Sequence, residues 1–267
     1  MNNLGLVGEK LGHSISPAIH QFIFDYLKIN GIYSLLEIDK KDSNNIIEEI
    51  EKRDITGFNV TVPYKEKIIS QLDTISSEAQ KIGAVNTVVL KNGKYEGYNT
   101  DYFGIIKMFE GIEVENKICY ILGSGGAAKA LIVALHDLKA KNIYVVTRDI
   151  NNKNMIKEKF PYIDMISYSA IEEGDILVNA TPVGMYPKID NTPISENDIK
   201  KFKIAVDIIY NPRNTLFLNL AKKHGLTAIN GLSMLIQQAL KAEEIWQNKE
   251  LPDNLYDELL KFLKGEN

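Results

Sequence analysis

The segment Gly123-Ser124-Gly125-Gly126-Ala127-Ala128 follows directly on the apolar run Ile118-Cys119-Tyr120-Ile121-Leu122. Its spacing fits G-x-G-x-x-A, in which the first glycine permits a tight turn and the second lets the backbone approach a pyrophosphate. The small last residue lets a helix pack closely on the preceding strand. Amides left unpaired at the helix start, with the helix dipole behind them, complete an anion site. A glycine turn without a ligand is the competing reading, and context weakens it: an apolar run precedes the loop, and Ala127, Ala130, Leu131, Ala134, Leu135 and Leu138 then fall on one helical face. The next strand ends in Thr147-Arg148-Asp149. An acid at this place holds the ribose hydroxyls of NAD, whereas an arginine accommodates the 2′-phosphate of NADP. Arg148 can stack on adenine and pair with phosphate, while Asp149 opposes it, so NADP is favoured.

A second set of polar residues stands at strand ends and in loops, where a rigid scaffold can hold them. Ser14 and Ser16 lie in Gly12-His13-Ser14-Ile15-Ser16-Pro17, and Asn59, Thr61 and Lys65 in Phe58-Asn59-Val60-Thr61-Val62-Pro63-Tyr64-Lys65. Asn86 lies in Gly83-Ala84-Val85-Asn86-Thr87 and Asp101 in Gly97-Tyr98-Asn99-Thr100-Asp101. Taken singly, each has a plainer reading. Ser16 reads as a helix N-cap ahead of Pro17. Asn59 and Thr61 read as solvated positions on one strand face, Lys65 as surface charge, and Asp101 as an acid favouring the start of its helix.

The elements that must position these residues alternate between short apolar runs and helical patterns, which predicts α/β architecture. Strands are expected at Leu4–Gly8, Ile32–Ile38 and Ile55–Val62, with helices from Ser16 to about Asn30 and around Ser43–Arg53. Val85–Leu90 and Lys94–Tyr98 flank Asn92-Gly93, a two-residue hairpin signal. Asn99 or Thr100 can cap a helix carrying Tyr102–Phe109. Beyond residue 117, strands at Ile118–Leu122, Ile143–Thr147, Asp175–Asn179, Ile204–Ile209 and Leu226–Ile229 alternate with helices at Ala127–Leu138 and Leu216–His224. Helices at Leu232–Gln247 and Asn254–Leu263 follow.

Composition narrows the class. At 267 residues the chain suits one large or two modest domains, and 45% apolar with 25% charged residues is an ordinary globular balance. A net charge of -4 argues against nucleic acid as the partner. Met1-Asn2-Asn3-Leu4 lacks signal-peptide features, and no apolar run suggests a membrane span. Cys119 is the only cysteine, which excludes an intramolecular disulfide and a cysteine-rich metal site; its apolar neighbours point to a core role. A cytoplasmic setting without a metal is expected.

In chain order, Ser14-Ile15-Ser16-Pro17, Asn59-Val60-Thr61-Val62-Pro63-Tyr64-Lys65, Gly83-Ala84-Val85-Asn86-Thr87, Asn99-Thr100-Asp101, the glycine loop, Asn179-Ala180-Thr181-Pro182-Val183-Gly184-Met185 and Gly231-Leu232-Ser233-Met234-Leu235-Ile236-Gln237-Gln238-Ala239 resemble the shikimate dehydrogenase family. The resemblance spans nearly the whole chain. It implies reversible NADPH-dependent reduction of 3-dehydroshikimate to shikimate, on the path to chorismate and the aromatic amino acids. It also implies an N-terminal α/β substrate domain (residues 1–101), a Rossmann-like dinucleotide-binding domain (residues 102–231) and C-terminal helices (residues 232–267) returning to the substrate domain.

The same resemblance assigns roles. Ser14 and Ser16 would hold the substrate carboxylate, with Tyr210 joining from the cofactor side. Thr61, Asn86, Asp101 and Gln238 would bind ring hydroxyls, with Asn59 nearby. Lys65 and Asp101 would form the catalytic pair; the Lys65 ammonium serves ketone reduction and the neutral amine serves oxidation, which should therefore improve at alkaline pH. Gly123, Ser124, Gly125, Gly126 and Ala127 would cradle the pyrophosphate, and Thr147, Arg148 and Asp149 would meet the adenosine end. Thr181 would lie along the cofactor, and the backbones of Ile208 and Gly231 would approach the nicotinamide. The family's usual adenosine-end pattern is Asn-Arg-Thr, from which Thr147 and Asp149 depart. A monomer or homodimer is expected. A quinate/shikimate dehydrogenase using NAD or NADP would share almost all these residues. A metabolite sensor is opposed by the retention of Lys65 with Asp101, and a folate-linked dehydrogenase by the paired serines.

Overall fold

The computed structural model describes residues 2–12, 14–148 and 153–265, so Asp149 lies outside the described residues. Two compact units divide the chain: Met1–Phe103 together with Ile236–Asn267, and Gly104–Leu235.

In the first unit β1 (Asn2–Gly8) lies between β2 (Gly31–Glu37) and β3 (Gly57–Val60), parallel to both. β4 (Thr74–Ile75), β5 (Thr87–Lys91) and β6 (Lys94–Tyr98) extend this into a mixed sheet of order β2-β1-β3-β5-β6-β4. The helices are α1 (Ser16–Leu27), α2 (Ile46–Glu51) and α3 (Ser77–Ile82), and α4 (Thr100–Met108) starts in this unit and ends in the second. Residues 4–8 of β1 are buried throughout, as a central parallel strand covered on both faces requires. One apolar cluster gathers Val7, Phe58, Val60, Tyr64, Val85 and Val88, another Leu4, Leu6, Leu11, Phe24 and Tyr33. The expected hairpin turns at Asn92 and Gly93, both at positive φ (52° and 74°), with Lys91 paired to Lys94.

Several expected boundaries move, for local reasons. Ile15, not Ser16, is the N-cap of α1, and the Ser16 side chain makes no capping bond. The helix stops at Leu27 because Lys28 turns left-handed and its neighbour's amide, Ile29 N, donates to Phe24 O. The helix expected over Ser43–Arg53 shortens to α2, since Ser43 Oγ donates back to Lys40 O at 2.6 Å and stabilises a preceding 3₁₀ turn, Lys40–Asp42. α3 and β4 were not expected, although Ser76 Oγ accepts from Ala79 N at 3.2 Å and Gly83 ends the helix left-handed.

The second unit is a six-stranded parallel sheet. Its elements are β7 (Ile118–Leu122), α5 (Gly126–Asp137), β8 (Asn142–Val146), α6 (Lys153–Lys159), β9 (Asp164–Ile166), β10 (Ile176–Asn179), α7 (Glu196–Ile199), β11 (Ile204–Asp207), α8 (Leu216–Lys223) and β12 (Thr227–Ile229). The strand order β12-β11-β10-β7-β8-β9 reverses direction between β7 and β10. In a doubly wound sheet that reversal opens a crevice at the strands' carboxyl ends, where ligands bind. Tyr120, Leu122, Val146, Leu177, Phe217 and Leu218 pack in its core. Cys119 is fully buried and burial pushes its thiol up to about 12, leaving it inert.

α9 (Leu232–Gln247) and α10 (Leu255–Lys264) close the fold. From Ile236 onward they belong to the first unit. Trp246 Nε1 donates to Val88 O at 2.9 Å, Asn2 Nδ2 donates to Gln247 Oε1 at 2.9 Å, and Phe262 stacks on Phe22 at 4.7 Å. Among the described residues no helix is long and apolar enough to cross a membrane, and no cluster of three or more His, Cys, Asp or Glu could hold a metal ion.

Candidate active site

Lys65 is aimed by its neighbours. Tyr64 is fully buried, and its phenol donates to Ile38 O at 2.5 Å. Tyr64 N donates to Thr61 O at 2.9 Å, and Val85 N donates to Lys65 O at 2.7 Å. The backbone is thereby pinned on both sides, while the Lys65 side chain, 19% exposed, runs to Asp101 Oδ2 at 2.5 Å. Asp101, 13% exposed, sits in the first turn of α4. Asn99 caps that helix, its Oδ1 accepting from Tyr102 N at 3.2 Å while its Nδ2 donates to Ala84 O at 2.9 Å.

Asn86 joins the pair to the sheet. Its Nδ2 donates to Asp101 Oδ1 at 2.9 Å, and its Oδ1 accepts from Thr100 N at 2.6 Å. Asn59 Nδ2 donates to Asn86 O at 3.2 Å and to Thr87 Oγ1 at 3.0 Å. Asn59 is therefore not a solvated strand position: it is buried, and its Oδ1 accepts from the Tyr33 phenol at 2.7 Å. Ser14 Oγ donates to Ser16 Oγ at 3.1 Å. Thr61 N donates to Val7 O, placing Thr61 at the carboxyl ends of β1 and β3. Gln238 sits, half-buried, on the part of α9 that belongs to this unit. An ammonium has three donors, so the bond to Asp101 leaves Lys65 able to reach a substrate oxygen as well.

In the second unit α5 starts at Gly126 with Gly125 as N-cap and no side chain capping it. Gly123 has φ +101°, and a Cβ there would press on Thr181 Cγ2 at 3.0 Å and on Ala180 O at 3.3 Å. The glycine loop thus lies against the loop that follows β10, at the reversal point of the sheet. A Cβ on Gly125 or Gly126 would meet nothing within 4 Å, so their backbone is bare on that side. Ser124 Oγ and Thr147 Oγ1 stand 3.5 Å apart, and Arg148 is exposed beyond them. These features fit a dinucleotide: bare amides for a pyrophosphate, and an accessible guanidinium at the next strand end.

Thr181 and Ile208 converge on a residue that the sequence pattern did not single out. Asp207 is fully buried at the end of β11. Its Oδ1 accepts from Asn179 Nδ2 at 3.1 Å and from Ile209 N at 3.0 Å, and its Oδ2 from Thr215 Oγ1 at 2.7 Å. Asn179 Oδ1 accepts from Thr181 N at 3.0 Å and from Thr181 Oγ1 at 2.7 Å. Burial raises the Asp207 carboxyl to about 6 against these three donors, which pull it down. Gly231 N donates to Ile209 O at 3.1 Å, and a Cβ on Gly231 would collide with the Ile208 carbonyl. Tyr210 is half-buried, and its phenol is raised by burial.

Residues 6–88 match a family model described as the shikimate dehydrogenase substrate binding domain. A shikimate dehydrogenase (NADP(+)) of Clostridium perfringens is 48% identical over 268 residues, covering 97% of this chain and 98% of the relative. The chain belongs to the shikimate dehydrogenase family. Shikimate dehydrogenase 1 from Peptoclostridium difficile superposes with a TM-score of 0.92 at 44% identity, over 99% of this chain and 98% of that one. The shikimate 5-dehydrogenase from Thermus thermophilus, solved in complex with NADP(H) and shikimate, gives 0.88 at 31% identity, over 98% and 99%. The α/β fold expected from the family resemblance is therefore the fold of the shikimate dehydrogenases.

Within the family frame, Lys65, Asn86 and Asp101 come together directly, and Ser14 and Ser16 touch each other. Tyr33, Thr87 and Asp207 are polar residues that sequence reading passed over. Asp207 carried one signal, a lone acid inside the apolar run Ile204-Ala205-Val206-Asp207-Ile208-Ile209. Tyr33 carried none, since an aromatic residue in a strand reads as core.

Proposed function

We propose that this chain catalyses the reversible, NADP-dependent reduction of 3-dehydroshikimate to shikimate, on the way to chorismate and the aromatic amino acids. The observation that carries the reading is the largely buried Lys65–Asp101 pair, with Asn86 on the second carboxylate oxygen, in a chain of this family. The names of the Clostridium perfringens and Thermus thermophilus relatives supply the substrate and the cofactor.

The cofactor would be held by Gly123, Ser124, Gly125, Gly126 and Ala127 at the pyrophosphate and by Thr147, Arg148 and Asp149 at the adenosine end. Thr181 would lie along the cofactor, and the backbones of Ile208 and Gly231 would approach the nicotinamide, which supplies the hydride when bound. Lys65 acts on the other reacting atom. As negative charge grows on the ketone oxygen, the ammonium stabilises it and delivers a proton; in the oxidative direction the neutral amine removes the hydroxyl proton. Asp101 orients the Lys65 head group. Ser14 and Ser16, with Tyr210, bind the carboxylate; Thr61, Asn86, Asp101 and Gln238 bind the ring hydroxyls. Hydrogen bonds of this kind reject analogues strongly, because a missing hydroxyl strands buried polar groups.

On this reading residues 1–101 and 232–267 form the substrate domain and residues 102–231 the NADP domain of a metal-free cytoplasmic enzyme, monomeric or homodimeric. The test is absorbance of the reduced nicotinamide with shikimate and with quinate, each offered with NADP and with NAD. Shikimate with NADP should give the highest kcat/KM, rising toward alkaline pH. Higher kcat/KM with quinate, or with NAD, overturns the assignment in favour of the quinate/shikimate type.

A further inference from the structure

We propose that Asp207 is a positioning residue that locks the loops after β10 and β11 into the form that receives the nicotinamide half of the cofactor. This deepens the reading above and rests on it. Thr181, Ile208 and Gly231 are given to the cofactor there, whereas Asp207, Asn179 and Thr215 have no part in it. All three of the latter are fully buried polar side chains. Burying such groups is unfavourable unless all are paired, and paired they become rigid.

Pairing is complete at Asn179. Its Nδ2 carries two hydrogens, one donated to Asp207 Oδ1 at 3.1 Å and one to Val183 O at 3.2 Å. Its Oδ1 accepts from Thr181 N at 3.0 Å and from Thr181 Oγ1 at 2.7 Å. The NH₂ and oxygen ends of an amide have nearly the same shape, so a neighbour must decide which way round it sits. Asp207 is that neighbour, because a carboxylate accepts and never donates. Burial lifts its carboxyl only to about 6, so the group is ionised at neutral pH. The Asn179 NH₂ group is drawn to it, and the amide oxygen is left facing Thr181. The Thr181 hydroxyl hydrogen is then committed to Asn179, and its oxygen accepts from Val183 N at 3.2 Å. Its methyl group lies 3.0 Å from where a Cβ on Gly123 would stand, against the glycine turn.

The same carboxylate holds the loop after β11. Asp207 Oδ1 also accepts from Ile209 N at 3.0 Å, and Gly231 N donates to Ile209 O at 3.1 Å. Ile208 N donates to Asn179 O at 3.1 Å, which fixes Ile208 between the two loops. On the other side, Asp207 Oδ2 accepts from Thr215 Oγ1 at 2.7 Å, and that oxygen accepts from Leu218 N at 3.3 Å as the cap of α8. One buried side chain thus ties two strand-end loops to the start of a helix.

Asp207→Asn keeps the size of the side chain but sets an NH₂ group among donors, so two orientations of the Asn179 amide compete. The check is binding to the purified protein at neutral pH, of NADPH by its fluorescence and of adenosine 2′,5′-bisphosphate by calorimetry. The second ligand has the adenosine end without the nicotinamide. Kd for NADPH should rise about tenfold, the effect of losing one charge-assisted hydrogen bond. Kd for the fragment should change by less than about twofold on the same scale, whereas a merely structural defect would weaken both alike. Asn179→Ala cuts the same link from its other side; it should give the same split, and it decides the matter if Asp207→Asn does not fold. In the double variant the two effects should not add, because one link is broken twice. An unchanged Kd for NADPH, equal rises for both ligands, or fully additive effects overturn the proposal. Wild-type protein that binds neither ligand overturns the underlying reading instead; wild type that binds both, with Asp207→Asn silent, overturns only the role of Asp207.

Discussion

Lys65 Nζ stands 2.5 Å from Asp101 Oδ2, and Asn86 Nδ2 stands 2.9 Å from the other oxygen of the same carboxylate. Asp101 is thus shared between a cation and a neutral amide, so both its direction and that of Lys65 are set. Asp101→Asn keeps the shape but presents an NH₂ to one of the two donors. Under the proposed mechanism it should lower kcat by about 10²–10⁴, the usual worth of a placed acid–base group. Steady-state kinetics with shikimate and NADP provide the check, and near-normal turnover would remove Asp101 from the catalytic pair.

Arg148 is exposed just beyond Thr147, where a 2′-phosphate would lie. Arg148→Ala should raise KM for NADPH by about tenfold or more, because a charge-assisted hydrogen bond is worth roughly 1.5–3 kcal/mol. KM for NADH should hardly move. Equal effects on the two cofactors would place the 2′-phosphate contact elsewhere.

Asp207 gives a pH prediction with a definite sign. Its carboxyl is raised to about 6 by burial, above the ordinary value. Between about pH 4 and 6 the unfolded chain therefore loses this proton before the folded chain does, and stability from this group falls as pH rises, by about 3 kcal/mol for two pH units. Urea unfolding of wild type and Asp207→Asn at pH 4 and pH 7 should show the wild type losing ground to the variant at the higher pH. A difference that moves the other way contradicts the assignment.

Gly231 packs against the Ile208 carbonyl so closely that a methyl group has no room. Gly231→Ala should shift that backbone, lowering stability by about 1–3 kcal/mol as overpacking does. If these backbones flank the nicotinamide, KM for NADPH should rise while shikimate binding measured without cofactor is unchanged. Thermal unfolding and a binding titration separate the two effects.

Much of the fold was readable because local patterns and tertiary structure agreed. The apolar runs became strands, Asn92-Gly93 became the hairpin turn, and the glycine loop lies between β7 and α5. Lys65, Asn86 and Asp101 were legible as a set only through the ordered motifs, and their side chains do meet. Ser16 shows where local rules mislead. Ser-Pro reads as a cap, but Ile15 takes that place and the serine hydroxyl meets that of Ser14. The contacts least visible in sequence link distant positions: Tyr33 to Asn59 across 26 residues and His20 to Glu243 across 223. Neither has a periodicity to betray it. Elements such as β9 and α7, three and four residues long, were too short to show a period at all.

The central claim is that Lys65 performs the proton transfer of a shikimate dehydrogenase. It is tested most directly by Lys65→Ala, comparing kcat in the NADP–shikimate reaction with the Kd for shikimate from equilibrium binding. The account predicts that kcat falls by about 10²–10⁴ while Kd changes little. A variant that turns over at a near-normal rate contradicts it.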